Sequence, residues 1–188
     1  MQRMTGVCYI PFRAVTDPTL PRSALRLLLA LRTCYGPEEV FSITLSDLKE
    51  LSGLSIYTIR MALAALLKAG YLHPVGRLRC EHRRCCFGQE PTLKLDHDLC
   101  ARLLALDLPN TAILLFLYLY QCLADGQPEQ DIRMIAYHVD SSVSRVCENL
   151  KALTAAGLLQ VERRQIKGGW NLRNRYSIPG TAAANYII

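Results

Sequence analysis

At 188 residues, 51% of them hydrophobic and 20% charged, the chain is too apolar for a disordered protein and long enough for two compact domains of roughly 80 to 90 residues each. Its net charge of +6 fits a polyanionic partner better than a cationic one. The longest apolar runs, 27–31 and 112–119, fall far short of the roughly 20 residues that a membrane-spanning helix needs, and no apolar leader with a small-residue cleavage site is visible, so a cytoplasmic location is expected.

Residues 7–15, VCYIPFRAV, have strand character, with Pro11 restricting them to an edge or bulged position. Asp17-Pro18 and Pro21 mark a turn. A first helix is expected over 23–34, with Ser23 as its N-cap and Tyr35-Gly36-Pro37 as its stop. Residues 38–43 read as a loop or short strand. Thr44-Leu45-Ser46-Asp47 has the form of a capping box opening a short helix over 46–52, and Gly53-Leu54-Ser55 supplies the tight turn into a third helix over 55–69. Residues 72–95 are expected to form a wing, two antiparallel strands around a long tip. A linking helix over 96–106, with Asp96 or Asp98 near its start, carries an apolar stripe of Leu99, Leu103, Leu104 and Leu106 that would pack between the two halves.

The second half follows the same plan. Pro109-Asn110-Thr111 opens a helix, TAILLFLYLYQCL, so apolar all round that it should be buried on several sides or lie at a dimer interface. Residues 125–128 form a loop, Asp131 caps a short helix ending near His138, and Asp140-Ser141-Ser142 turns into a helix over 142–156. Strands are expected at 161–166 and 172–178 around Gly168-Gly169, followed by a tail at 181–188.

The two halves are copies. The pattern L-x-A-L-x-x-A-G-x-L at 63–72 returns at 150–159, a shift of 87 residues, and internal repetition determines architecture before any single residue is interpreted. Ile59, Leu63, Leu66 and Leu67 in one copy, and Val146, Leu150 and Leu153 in the other, recur at the intervals of one buried helical face. Gly70 and Gly157 then end the helices, since glycine adopts the left-handed C-terminal conformation without steric cost. The expected fold is α+β, mainly α with small β-hairpins, in domains at 1–95 and 109–188 joined by 96–108.

The charge is unevenly placed. Residues 73–90 carry Arg77, Arg79, Arg83 and Arg84 against Glu81 and Glu90, and residues 160–178 carry Arg163, Arg164, Lys167, Arg173 and Arg175 against Glu162. These segments account for the whole excess of +6. Cations concentrated on two hairpins suit a polyanion, because neutralising phosphates releases condensed counterions.

With these residues in place, the chain resembles the winged-helix family twice over. The resemblance rests on LSDLKELSGLSIYTIRMALAALLKAGYL at 45–72 and IRMIAYHVDSSVSRVCENLKALTAAGLL at 132–159. The segment YIPFRAVTDPTLPRSALRLLLAL at 9–31 is loosely similar to the entry segment of plasmid and phage replication-initiator and replisome-organiser proteins. The resemblance implies two winged-helix domains in tandem, binding double-stranded DNA with the third helix of each in the major groove and the wing on the backbone or minor groove. It implies a nucleoid-associated, prokaryotic protein of replication initiation or transcription regulation, acting as a homodimer with no cofactor and no small-molecule substrate. Carried over by position, Ser55, Tyr57, Thr58 and Arg60 form the first reading surface, and Ser142, Ser144, Arg145 and Asn149 the second. Arg145 suits a bidentate guanine contact and Asn149 an adenine contact, while the wing cations would position the protein without reading sequence. The first reading helix departs from the pattern in having only Arg60 as a basic group in its first half.

Other readings compete. Tandem winged helices also serve as protein-interaction adaptors in chromosome segregation complexes, for which the helix at 112–123 and the end Tyr186-Ile187-Ile188 would be docking surfaces. Tyr57 could equally pack under its helix, and Trp170 suits packing in the second wing better than contact with a DNA sugar. Cys80, His82, Cys85 and Cys86 are four soft ligands in seven residues, but they lack paired C-x-x-C halves, and adjacent Cys85 and Cys86 point to opposite faces of an extended segment. The remaining cysteines read as structural, reduced thiols. Catalysis is not expected: the chain has no phosphate-binding glycine loop, no H-E-x-x-H and no nucleophile elbow, and its four histidines are scattered.

Overall fold

In a computed structural model, residues 7–36, 39–75, 83–88, 92–163 and 173–180 are described. The chain divides into two compact units, Met1–Asn110 and Thr111–Ile188. The first contains β1 (Val7–Pro11), α1 (Phe12–Thr16), α2 (Arg22–Cys34), β2 (Phe41–Ile43), α3 (Leu45–Ser52), α4 (Ile56–Lys68), β3 (Leu72–Pro74), β4 (Arg83–Phe87), β5 (Thr92–Asp96) and α5 (His97–Ala105). α6 (Asn110–Ala124) leads into the second, followed by β6 (Glu129–Gln130), α7 (Ile132–His138), α8 (Val143–Ala155), β7 (Gln160–Glu162) and β8 (Asn174–Ser177). The fold is α+β, and its sheets are small and antiparallel.

The repeat in sequence is a repeat in topology. Each unit runs helix, strand, helix, helix, strand, strand, and its three-stranded sheet places the last strand in the middle: β2-β4-β3 in one, β6-β8-β7 in the other. α4 and α8 occupy positions that the 87-residue shift superposes end for end.

Local chemistry accounts for the turns. Thr44 and Asp47 form a reciprocal capping box, the Thr44 side chain accepting from the Asp47 amide at 3.1 Å while Asp47 accepts from the Thr44 amide at 3.1 Å. Ser55 and Ser142 cap the longer helices, each accepting a backbone N–H at 3.2 Å, from Thr58 and Arg145 respectively. The turn after each short helix needs a left-handed residue. Gly53 supplies it in the first unit (φ 67°) and Asp140 in the second (φ 47°), aspartate being among the few side chains that visit this region.

α2 is the centre of the first unit. Leu25, Leu27, Leu28, Leu29 and Leu31 are all buried, and the helix packs on α3, α4 and α5. Arg26 on its partly buried side closes three segments together, donating Nε to the Ser52 carbonyl at 2.8 Å, Nη1 to Leu108 at 3.0 Å and Nη2 to Leu104 at 3.4 Å. Burial pulls the Arg26 pKa down, and the nearby Asp107 carboxylate opposes that shift.

Four expectations require correction. Extended structure ends at Pro11, and residues 12–16 turn into the short α1. α2 starts one residue before Ser23, with Pro21 at the cap position and no side-chain cap; proline's missing N–H removes one donor that would otherwise need a partner there. Residues 72–95 are not a single hairpin: β3 pairs with β4, but β5 pairs with β1 from Val7↔Asp96 to Pro11↔Thr92. α5, capped by Asp96, packs on α2, β1 and β5, so the segment expected to link the halves is built into the first unit. The apolar α6 has Ala112 to Tyr120, Cys122 and Leu123 buried, in keeping with its all-round apolar pattern. No single helix among the described residues is long and apolar enough to cross a membrane.

Gly88 follows β4 where its N–H donates to the Tyr71 carbonyl at 3.2 Å. A Cβ there would lie 2.5 Å from the Gly70 carbonyl oxygen, closer than any van der Waals contact allows. Gly88→Ala should therefore lower the stability of the first unit by about 1–3 kcal/mol, the usual cost of forced overpacking, read as an earlier urea midpoint. An unchanged midpoint would show that the β3-β4 pair gives way freely.

Candidate functional site

The rotation of α4 is set by its buried stripe. Ile59, Ala62, Leu63 and Leu66 are buried, so the opposite face carries Ile56, Tyr57, Arg60, Met61, Ala64 and Lys68, all exposed. α4 meets α3 at 97°, within the range of a helix-turn-helix crossing. Of the four residues expected to read from this helix, Ser55, Tyr57 and Arg60 are exposed, Tyr57 at 75%, and Thr58 is half-buried. Ser55 and Thr58 are mutually engaged, their hydroxyls 2.8 Å apart, so capping already occupies part of their hydrogen-bonding capacity.

α8 presents the matching face in the second unit. Ser142, Ser144, Arg145 and Lys151 are exposed. The Arg145 guanidinium pairs with Glu148 at 3.1 Å, each side chain 59% exposed, an arrangement weak enough in water for Arg145 to leave it for a stronger anion. Asn149 does not join this surface. It is 4% exposed, and its Oδ1 accepts from the Thr111 hydroxyl at 3.3 Å, which overturns the expectation that it contacts adenine. The sequence held the signal: Asn149 lies at the position of Ala62 under the 87-residue shift and between Val146 and Leu153 on the buried stripe.

The strand cations divide three ways. Arg163, Arg173 and Arg175 are exposed. Arg175, on the central strand, lies opposite Glu129 on one neighbour and Glu162 on the other, and directly opposite residues share a face, so two carboxylates offset its charge. Arg83 and Arg84 lie on β4 opposite Ile43 and Ser42, with their side chains outside the described residues. Arg77, Arg79, Arg164, Lys167, Cys80, His82 and Trp170 also lie outside them. Arg32 is interior: its guanidinium sits 3.7 Å above the Phe87 ring, and burial draws its pKa down to about 10.

Cys85 is buried and Cys86 half-buried, on alternate sides of β4, as an extended segment requires. Among the described residues no group of three metal-ligating side chains converges. An open cleft of about 540 Å³ beside α7 is lined by residues including Asp131, Met134, His138 and Arg173. Sequence reasoning missed a further set of exposed apolar residues, Ile56 and Met61 on α4, Met134 and Tyr137 on α7, and Val143 on α8. Met61 could have been found from its place four residues after Tyr57, off the buried stripe. Comparison of the chain with protein-family models and with curated proteins finds no match to either.

The inward and outward faces of α8 predict opposite mutational behaviour. Asn149→Ala leaves a gap at a buried position and takes its partner from the half-buried Thr111 hydroxyl, and should cost about 1–3 kcal/mol of stability in thermal or urea unfolding. Arg145→Ala should stay within about 0.5 kcal/mol of the parent. Equal losses in the two variants would mean that α8 is rotated from the orientation described.

Proposed function

We propose that this chain is a non-enzymatic protein that binds double-stranded DNA through two winged helix-turn-helix units, in replication initiation or transcription regulation. The observation that carries the reading is the duplicated topology: each unit has the same six elements, the same strand order with the last strand central, and a capped helix after a tight left-handed turn. In a winged-helix reading α4 and α8 are the groove helices, and the β3-β4 and β7-β8 pairs are the wings. The exposed polar groups of Ser144 and Arg145 and the exposed cations Arg163 and Arg173 support contact with base edges and phosphates respectively.

One titration tests this. Fluorescence anisotropy with a labelled random-sequence duplex should give binding at low salt that weakens as salt rises, with a log–log slope of about 0.9 per phosphate contacted. Replacing Arg163, Arg164, Arg173 and Arg175 together with Ala should weaken binding to every sequence and flatten that slope, whereas Arg145→Ala should also relax sequence preference. Palindromic selected sites would match a two-fold homodimer, and direct repeats an array.

A second reading, a protein-interaction adaptor, draws on Met134 and Tyr137, 50% and 78% exposed on α7, since exposed aromatic and thioether side chains favour protein partners. The duplex reading is preferred because α4 carries no carboxylate and the second unit's strand segment is strongly basic. A tightly copurifying protein together with no duplex affinity at low salt would select the adaptor instead.

A further inference from the structure

We propose that α4 reads thymine through the 5-methyl group, so that the first unit selects thymine-rich major-groove edges by apolar contact while the second unit supplies the polar readout. The inference rests on the duplex-binding reading above and deepens it.

Three observations on α4 lead there. Its outward face begins with Ile56, 43% exposed, and Tyr57, 75% exposed, and continues one turn on with Met61, 55% exposed. Positions 57 and 61 are one helical turn apart and therefore adjacent on the surface. Leaving three large apolar side chains in water on one short helix face is unfavourable unless a partner covers them, since each gains by burial. The only charged residues on the helix are Arg60 and Lys68, both exposed, and it has no aspartate or glutamate. Cations flanking an apolar strip, with no carboxylate to repel phosphate, complement a groove whose floor offers methyl groups and whose walls are anionic.

The hydrogen-bonding chemistry narrows the choice of base. The hydroxyls of Ser55 and Thr58 at the start of the helix are engaged with each other at 2.8 Å and with the cap, which takes up part of their capacity to hydrogen-bond a base edge. Arg60 and the Tyr57 hydroxyl are the other donors near the strip. Among the four base-pair edges of the major groove, only thymine presents an apolar group, its C5-methyl. Ile56 and Met61 are the side chains assigned to that contact. In the second unit Val143 keeps an apolar side chain at the position of Ile56, but Ser144 replaces Tyr57, Arg145 replaces Thr58 and Glu148 replaces Met61, so the outward face of α8 is the more polar of the two.

The test is a competition. A random 30-base-pair duplex pool is copied twice from the same templates, once with thymidine and once with deoxyuridine, so that the copies differ only in the methyl. The two pools carry different fluorophores and compete for limiting full-length protein. The thymidine pool should be enriched in the bound fraction by about fourfold for each methyl buried. The double variant Ile56→Ser, Met61→Ser, whose altered side chains are exposed and so should leave folding intact, should lose that enrichment and capture the two pools equally. Equal capture of both pools by the parent overturns the thymine assignment and leaves duplex binding standing. Enrichment that survives in the double variant overturns the assignment to Ile56 and Met61. Capture of neither pool at low salt overturns the duplex reading and this inference with it.

Discussion

The burial of one stripe on each of two helices governs what the molecule offers to its surroundings. Once Ile59, Ala62, Leu63 and Leu66 are packed in one unit, and Val146, Asn149, Leu150 and Leu153 in the other, neither helix can rotate without exposing leucine and cutting into a well-packed interior. Each such leucine contributes on the order of 2 kcal/mol by its removal from water. The outward residues are therefore determined by exclusion. Position 57 or 144 faces out because positions 59 and 146 face in.

Given that shared constraint, the two units diverge where packing does not reach. α3 shows Asp47 and Glu50 where α7 shows Met134 and Tyr137, and α4 is free of acids where α8 holds an Arg145–Glu148 pair. The left-handed turn position has also diverged, glycine in one unit and aspartate in the other. The buried leucines of the stripe recur in both copies, Leu63 and Leu66 as Leu150 and Leu153, because a changed volume there costs stability, whereas Ala62 is matched by Asn149. Exposed positions carry no such penalty, and differences accumulated on them produce two chemically distinct surfaces on one scaffold.

The charge of the chain is likewise sorted by structure. Arg26 spends its donors on three backbone carbonyls, and Arg32 lies over the Phe87 ring, so these cations hold the first unit together and contribute little to its outer field. Arg175 is hemmed by Glu129 and Glu162 across the sheet. Arg163 and Arg173 remain as exposed cations of the second unit's strand segment. A net charge of +6 thus says nothing of where the cations stand.

Much of this architecture was legible in the sequence. The 87-residue repeat, the capping box at Thr44 and Asp47, the serine caps at Ser55 and Ser142 and the glycine stops all follow from short-range rules, in which a side chain acts on backbone a few residues away. The α+β class and the positions of α4 and α8 came from periodicity alone. What tertiary structure decided was everything that depends on partners distant in the chain. β5 pairs with β1, 83 residues earlier in sequence at Leu93↔Ile10, and strand character does not specify which edge a strand will find. Asn149, polar and on a candidate reading helix, is turned inward to meet Thr111, because hydrogen bonding across 38 residues can satisfy a buried amide where composition would place it in water.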